Sequence, residues 1–151
     1  LNDAARRAVT NLAPWAVAQS RGLAFVGADR PVVVKGNAFA IDDAIRNLVE
    51  NAVAHAPPAT EVIVSASPNG SIEVSDFGPG VPPEHRERIF ERFWRGKGAP
   101  AHGAGLGLAI VAEIMKAHGG RAEVAEGRDG GAVFTLFFPV AAPPSAFAAT
   151  R

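Results

Sequence analysis

Three groups of residues in this sequence have the types and spacing to do chemistry. Asn47, Asn51 and His55 fall at i, i+4 and i+8, so on a helix two amides and an imidazole line up along one side. Amide oxygens can coordinate Mg²⁺ without adding negative charge beside a phosphate, and an imidazole can donate a hydrogen bond to the phosphate itself. Taken alone, the stripe fits a solvated polar face at least as well. In SIEVSD (71–76) the strand period of two puts Ile72, Val74 and Asp76 on one face, so a carboxylate follows two core residues inward. A buried carboxylate needs a donor. Gly78 and Gly80 follow and leave room for a planar group against the backbone, and an exocyclic amino group such as that of adenine would supply the donor. A plain Asp-Gly turn is the competing reading. The third group is Gly103, Gly105, Leu106 and Gly107 in HGAGLGL (102–108), leading into an amphipathic helix. Free backbone N–H groups and the positive end of the helix dipole make an anion site there. No parallel strand precedes it and no GK[ST] ends it, so it is neither a dinucleotide fingerprint nor a P-loop.

The elements that must hold these groups follow from pattern. Residues 3–20 carry Val9, Leu12, Trp15 and Ala16 at helical spacing, with Pro14 placed to kink or split the helix. LAFV (23–26) and PVVVK (31–35) read as a strand pair. A helix runs from the N-cap Asn37 to about His55, stopped by Pro57-Pro58, and buries Ile41, Ile45, Leu48 and Ala52. Strands 61–67 and 71–76 form a hairpin through Pro68-Asn69-Gly70. A short helix over 83–93, a loop at 95–104 and a helix of about 14 residues ending at Gly119-Gly120 come next. RAEVAE and AVFTLFFP then flank GRDGG as a last hairpin, and 141–151 has no pattern that would order it. This order predicts an α+β domain over 1–140, a mainly antiparallel sheet with helices on one face.

Composition narrows the function classes. Fifteen basic and fifteen acidic residues cancel, so no overall positive field exists to hold nucleic acid or an anionic membrane. Any anion must be met by local geometry. The absence of cysteine excludes disulfides, thiolate metal sites and thiol nucleophiles, and suits a reducing compartment. No run reaches the ~18 apolar residues of a membrane helix. The chain starts at Leu1 and its one methionine is Met115, which suggests a piece of a larger protein.

Taken in order, RNLVENAVAHAPP, DFGPGVPPEHRERIFERFWRG, GAGLGLAIVAEIMKAHGG and GGAVFTLFFP resemble the ATP-binding catalytic domain of bacterial sensor histidine kinases, in the wider family of gyrase, Hsp90 and MutL. The resemblance runs from about residue 9 to 140. It implies the Bergerat ATP-binding fold, a two-layer α/β sandwich holding ATP and Mg²⁺ under a lid at about 95–104. It implies that Asn51 ligates Mg²⁺ with Asn47 as its helper, and that Asp76 accepts the adenine amino group with clearance at Gly78 and Gly80. Phe90 and Phe93 match an aromatic box at the lid's base, and Arg95 a basic residue near the γ-phosphate. Gly103, Gly105, Leu106 and Gly107 match the lid hinge and phosphate loop, while Lys97 and His102 read as solvated lid residues. The implied partners are a histidine-bearing dimerisation domain of the same kinase and a response-regulator receiver domain. The implied location is the cytoplasmic side, with the parent protein in the bacterial inner membrane.

Two departures stand out. A basic residue common three places after the Mg²⁺ asparagine is Ala54 here, with His55 next to it as a substitute, and a threonine after the last glycine pair is Ala132. Position 47 separates enzyme classes, because the family's hydrolases carry a water-activating glutamate there and asparagine cannot take up a proton at neutral pH. Glu50 does not replace it, since one residue is about 100° around a helix. A histidine kinase domain is the favoured reading, with a gyrase- or MutL-like ATP hydrolase and a non-catalytic nucleotide-binding module as alternatives.

Overall fold

The computed structural model describes residues 1–94 and 106–140. The expected lid, with Arg95, Lys97, His102, Gly103 and Gly105, and the tail 141–151 lie outside the described residues. Helix α1 (Asn2–Ala18) leads to strand β1 (Gly22–Val26), helix α2 (Ala38–His55), and the hairpin of β2 (Glu61–Ser67) and β3 (Ser71–Ser75). Helix α3 (Gly107–Ala117) and the hairpin of β4 (Arg121–Glu126) and β5 (Ala132–Phe137) follow.

The strands form one sheet in the order β1-β2-β3-β5-β4. The predicted hairpins are both antiparallel pairs, and β5 also pairs antiparallel with β3. The expected pairing of 23–26 with 31–35 does not form. Instead β1 lies parallel to β2, with Leu23 opposite Val62 and Phe25 opposite Val64, so β1, α2 and β2 make a crossover unit. The cause sits at the start of α1. The Asn2 amide donates to the carbonyls of Ala28 and Arg30 and accepts from the Ala28 N–H at 2.9 Å, which draws the chain after β1 away from the sheet. Of PVVVK, only Val34 makes a β-bridge, to Val140, while Val32 is buried.

The inward face of the sheet carries Val62 and Val64, Ile72 and Val74, and Phe134 and Leu136, all buried against the helices. Helix α2 runs through the centre of this layer. Ile41, Ile45, Leu48 and Ala52 are buried as their spacing predicts, and Ala44, Val49 and Val53 join them because α1 and α3 flank the helix. Helix α1 differs from expectation. Its buried stripe is Ala4, Ala5, Ala8 and Ala16, small enough for close approach to α2 and β1, while Trp15 is exposed and Val9 and Leu12 are half-buried. Pro14 is accommodated within a single helix.

The ends of α2 are well determined. Asn37 Oδ1 accepts from the Ala40 N–H at 3.1 Å, the predicted N-cap. At the other end Arg21 donates from Nε and Nη2 to the Ala56 carbonyl at 2.9 and 2.6 Å, placing a cation at the negative end of the helix. The expected short helix over 83–93 is two 3₁₀ turns, Pro83–His85 and Arg88–Phe90. Helix α3 spans 11 residues rather than about 14, and Gly119, at φ +69°, closes it. The N–H groups of Gly119 and Gly120 return to the Lys116 and Met115 carbonyls, a Schellman ending.

Candidate functional site

The inward-facing carboxylate is where the alternation put it. Asp76 directly follows β3 and is 7% exposed. Its Oδ1 accepts from the Gly78 N–H at 2.8 Å and from the Ala132 N–H at 3.3 Å, and its own N–H donates to the Ala132 carbonyl at 3.0 Å. Three hydrogen bonds from two segments therefore fix the group. Among the described residues no donor reaches Oδ2, and no fully buried side-chain oxygen lacks a partner. Oδ2 is the oxygen left to accept a hydrogen bond from outside.

The glycines around Asp76 let backbones meet. A Cβ on Gly78 would lie 2.8 Å from the His55 carbonyl oxygen, so this loop packs on the end of α2. Gly80, at φ +74°, would meet the Gly130 carbonyl at 2.7 Å. The clearance read for a planar ligand at these two positions is thus occupied, in the described chain, by the protein's own backbone. Gly131 is tighter still, with its Cβ position 1.9 Å from the Asp76 carbonyl oxygen. The sequence marks GRDGG only as a turn, so Gly131 and Ala132 were not legible as the residues that hold Asp76. Gly131→Ala is expected to destabilise the fold by about 2 kcal/mol, a melting shift of roughly 4–8 °C, since rigid backbone must move. A thermal melt followed by circular dichroism checks this.

Helix α2 supplies the amide stripe. Asn47 donates from Nδ2 to the Asp43 carbonyl at 2.8 Å, which fixes the amide, and among the described residues no donor reaches its Oδ1. That oxygen faces the first turn of α3, because a Cβ on Gly107 would lie 3.2 Å from it. Asn51 is half-buried, and its side chain makes no hydrogen bond among the described residues. His55 is exposed, and its Nδ1 lies 2.8 Å from the Asn51 carbonyl. A carbonyl only accepts, so Nδ1 carries a proton and Nε2 could donate to a phosphate only in the imidazolium form. Ala54 beside it is exposed and offers no charge.

Helix α3 opens at Gly107 with Leu106 in the N-cap place and no side-chain cap. Among the described residues nothing outside the helix accepts from its first N–H groups, which are donors of the kind that bind anions. A Cβ at Gly107 would crowd the Asn47 amide, 3.2 Å from its Oδ1.

The aromatic box divides. Phe90 packs edge-on against Phe134 with ring centroids 6.3 Å apart, so it belongs to the core. Phe93 does not pack as expected: it has φ +62° and is 69% exposed. The left-handed turn at Phe93 carries the chain round so that Trp94 packs on the core instead, 5.0 Å from the His85 ring. Trp94 is the anchor that sequence reading missed.

Asn47, Asn51 and His55 thus run along α2 from its contact with the start of α3, at Gly107, to its contact with the loop after β3, where Gly78 meets the His55 carbonyl and Asp76 is held. No group of three or more metal-ligating His, Asp or Glu residues exists among the described residues. Any divalent cation there would depend on amide oxygens and on the ligand's own anionic groups, which suits a hard cation shared with phosphates.

Comparison with known proteins agrees with this geometry. The family model described as histidine kinase-, DNA gyrase B-, and HSP90-like ATPase matches residues 36–142. The sensor protein IrlS of Burkholderia pseudomallei is 42% identical over 124 residues, which is 74% of this chain and 27% of that protein. The chain spans about a quarter of the length of such relatives. Among solved structures, the mycobacterial sensor histidine kinase MprB superposes with a TM-score of 0.76 at 28% identity, covering 91% of this chain and 93% of that one. Full-length ShkA in complex with AMPPNP gives a TM-score of 0.76 at 28% identity, over 95% of this chain and 31% of that one. The chain belongs to the histidine kinase-, DNA gyrase B- and HSP90-like ATPase family.

Proposed function

We propose that this chain is the catalytic domain of a two-component sensor histidine kinase, which binds Mg·ATP and donates the γ-phosphoryl group to a histidine on a separate dimerisation domain. A response-regulator receiver domain would take the phosphoryl group onward. The observation that carries the choice of kinase over hydrolase is Asn47. Its amide is committed to the Asp43 carbonyl and presents a neutral oxygen to α3, where a hydrolase would need a carboxylate to activate water. Glu50 points elsewhere, exposed and 3.9 Å from Arg46.

On this reading each residue has a defined task. Asp76 Oδ2 accepts the adenine amino group and sets the register of the nucleotide. The N–H groups opening α3 at Gly107 receive phosphate oxygens, and Arg95, Gly103 and Gly105 are assigned to the γ-phosphate side by family resemblance. Asn51, with Asn47 beside it, would hold Mg²⁺, which when bound neutralises charge on the phosphates. His55 adds a donor when protonated. Phosphoryl transfer needs little more from the protein than positioning and charge stabilisation. An imidazole nitrogen of the partner domain attacks the γ-phosphorus in line, the bond to the β,γ-bridging oxygen breaks, ADP leaves, and the ring loses its N–H proton.

None of the described histidines has the helical His-Glu or His-Asp pattern that the resemblance implies for a phosphoacceptor: His55 ends α2 before Ala56, His85 lies in a 3₁₀ turn before Arg86, and His118 follows α3 before Gly119. Given γ-labelled Mg·ATP, the isolated chain is expected to bind nucleotide, carry no label, and release phosphate far below the ~10 s⁻¹ typical of enzymes. Rapid turnover would favour the hydrolase reading, and label on the chain itself would contradict an acceptor histidine that lies on a separate domain.

A further inference from the structure

His118 uses both ring nitrogens, and it does so between the two helices that frame the site. The Asn37 N–H donates to Nε2 at 3.0 Å. A backbone N–H cannot accept, so Nε2 presents its lone pair and the neutral ring carries its proton on Nδ1. Nδ1 then donates to the Ile114 carbonyl, 2.7 Å away. The ring is pressed against Gly36, where a Cβ would lie 2.4 Å from Cδ2, and Phe138 closes its other side edge-on at 6.4 Å. One side chain thus joins the last turn of α3 to the N-cap residue of α2.

At the opposite end of α3, Gly107 meets Asn47. The two helices are therefore antiparallel neighbours, α3 meeting the N-cap of α2 at its His118 end and the middle of α2 at its Gly107 end, beside the candidate phosphate site. We propose that His118 is a positioning residue: as the Nδ1–H tautomer it fixes the spacing of α2 and α3, and with it the distance from the Asn47 and Asn51 amides to the N–H groups opening α3. This rests on the nucleotide-site reading and extends it. Asp76 is pinned by the Gly78 and Ala132 N–H groups in a loop that packs on α2 itself, so a change in the spacing of α3 from α2 acts on the phosphate half of the site and leaves the base half with its own contacts.

The test is calorimetric titration of the 151-residue chain with Mg·ATP and with adenosine, alongside thermal melts, for the parent, His118→Phe and His118→Gln. Phenylalanine keeps the ring but loses both hydrogen bonds, whereas the glutamine oxygen can reach the Asn37 N–H as Nε2 does. His118→Phe is expected to weaken Mg·ATP about tenfold, the scale of one hydrogen bond lost, with adenosine unchanged within about twofold. His118→Gln is expected to restore Mg·ATP binding to within about threefold of the parent. If His118→Phe does not fold, His118→Asn, which can still reach Ile114 but not Asn37, takes its place with the same expectation. Equal weakening of both ligands, or an unchanged ratio of the two affinities, would overturn the proposal. A parent chain that binds neither ligand would instead overturn the nucleotide-site reading beneath it.

Discussion

Asp76→Asn is expected to lower ATP affinity at least about 100-fold while leaving the melting temperature within about 5 °C of the parent. The asparagine oxygen can still accept from the Gly78 and Ala132 N–H groups, so the loop stays pinned. What changes is the second position, where an acceptor becomes an NH₂ donor. The adenine amino group is also a donor, so the site loses a hydrogen bond worth about 1.5–3 kcal/mol and faces two donors at a further ~1–3 kcal/mol. At ~1.4 kcal/mol per factor of ten, that is two to four powers of ten. Guanine presents a carbonyl at the same edge, so the preference for ATP over GTP should narrow in the variant. Fluorescent-nucleotide titration with both nucleotides, paired with a melt, reads these effects. Asp76→Ala should behave differently, because it also strips the half-buried Gly78 and the buried Ala132 N–H groups of their side-chain acceptor and lowers stability. An Asp76→Asn chain that binds ATP within threefold of the parent would remove Asp76 from base recognition.

Asn51→Ala is expected to abolish the gain in ATP affinity that Mg²⁺ confers and to lower phosphoryl transfer about 100- to 1,000-fold, the scale of losing one preorganised electrostatic contact. Binding of AMP, which lacks the β- and γ-phosphates, should remain within about twofold. Asn51→Asp supplies an oxygen of similar reach, but its negative charge sits beside the triphosphate, so it should recover little. Affinities for ATP with Mg²⁺ and with EDTA, measured for all three chains, separate these cases. Equal Mg²⁺ dependence in the parent and in Asn51→Ala would place the ion elsewhere.

Local signals made much of this legible in the sequence. The limits of α2 were visible because Asn37, the apolar stripe and Pro57-Pro58 all speak for the same helix. Both hairpins carry their own turn residues, and the alternation in SIEVSD is by itself enough to point Asp76 inward. What stayed hidden depends on partners distant in the chain. The pairing of β1 with β2 spans the whole of α2, and the Asn2 side chain that deflects residues 28–30 lies at the far end of α1. Trp15 and Phe93 look like core residues by type, yet the alanines of α1 and the left-handed backbone at Phe93 leave both exposed. Gly78 and Gly80 were recognisable as positions that exclude a side chain, but the carbonyls of His55 and Gly130 that fill the space could not be read from their spacing.

Phosphoryl transfer to a supplied acceptor is the most direct test. The chain is mixed with γ-labelled ATP, Mg²⁺ and the histidine-bearing dimerisation domain of its parent kinase, and label is followed on each protein and in free phosphate. The expected result is acid-labile, base-stable label on a histidine of the dimerisation domain alone, lost when Asp76 or Asn51 is substituted. Nucleotide binding with no label on the added domain, or label appearing only as free phosphate, would contradict a histidine kinase catalytic domain.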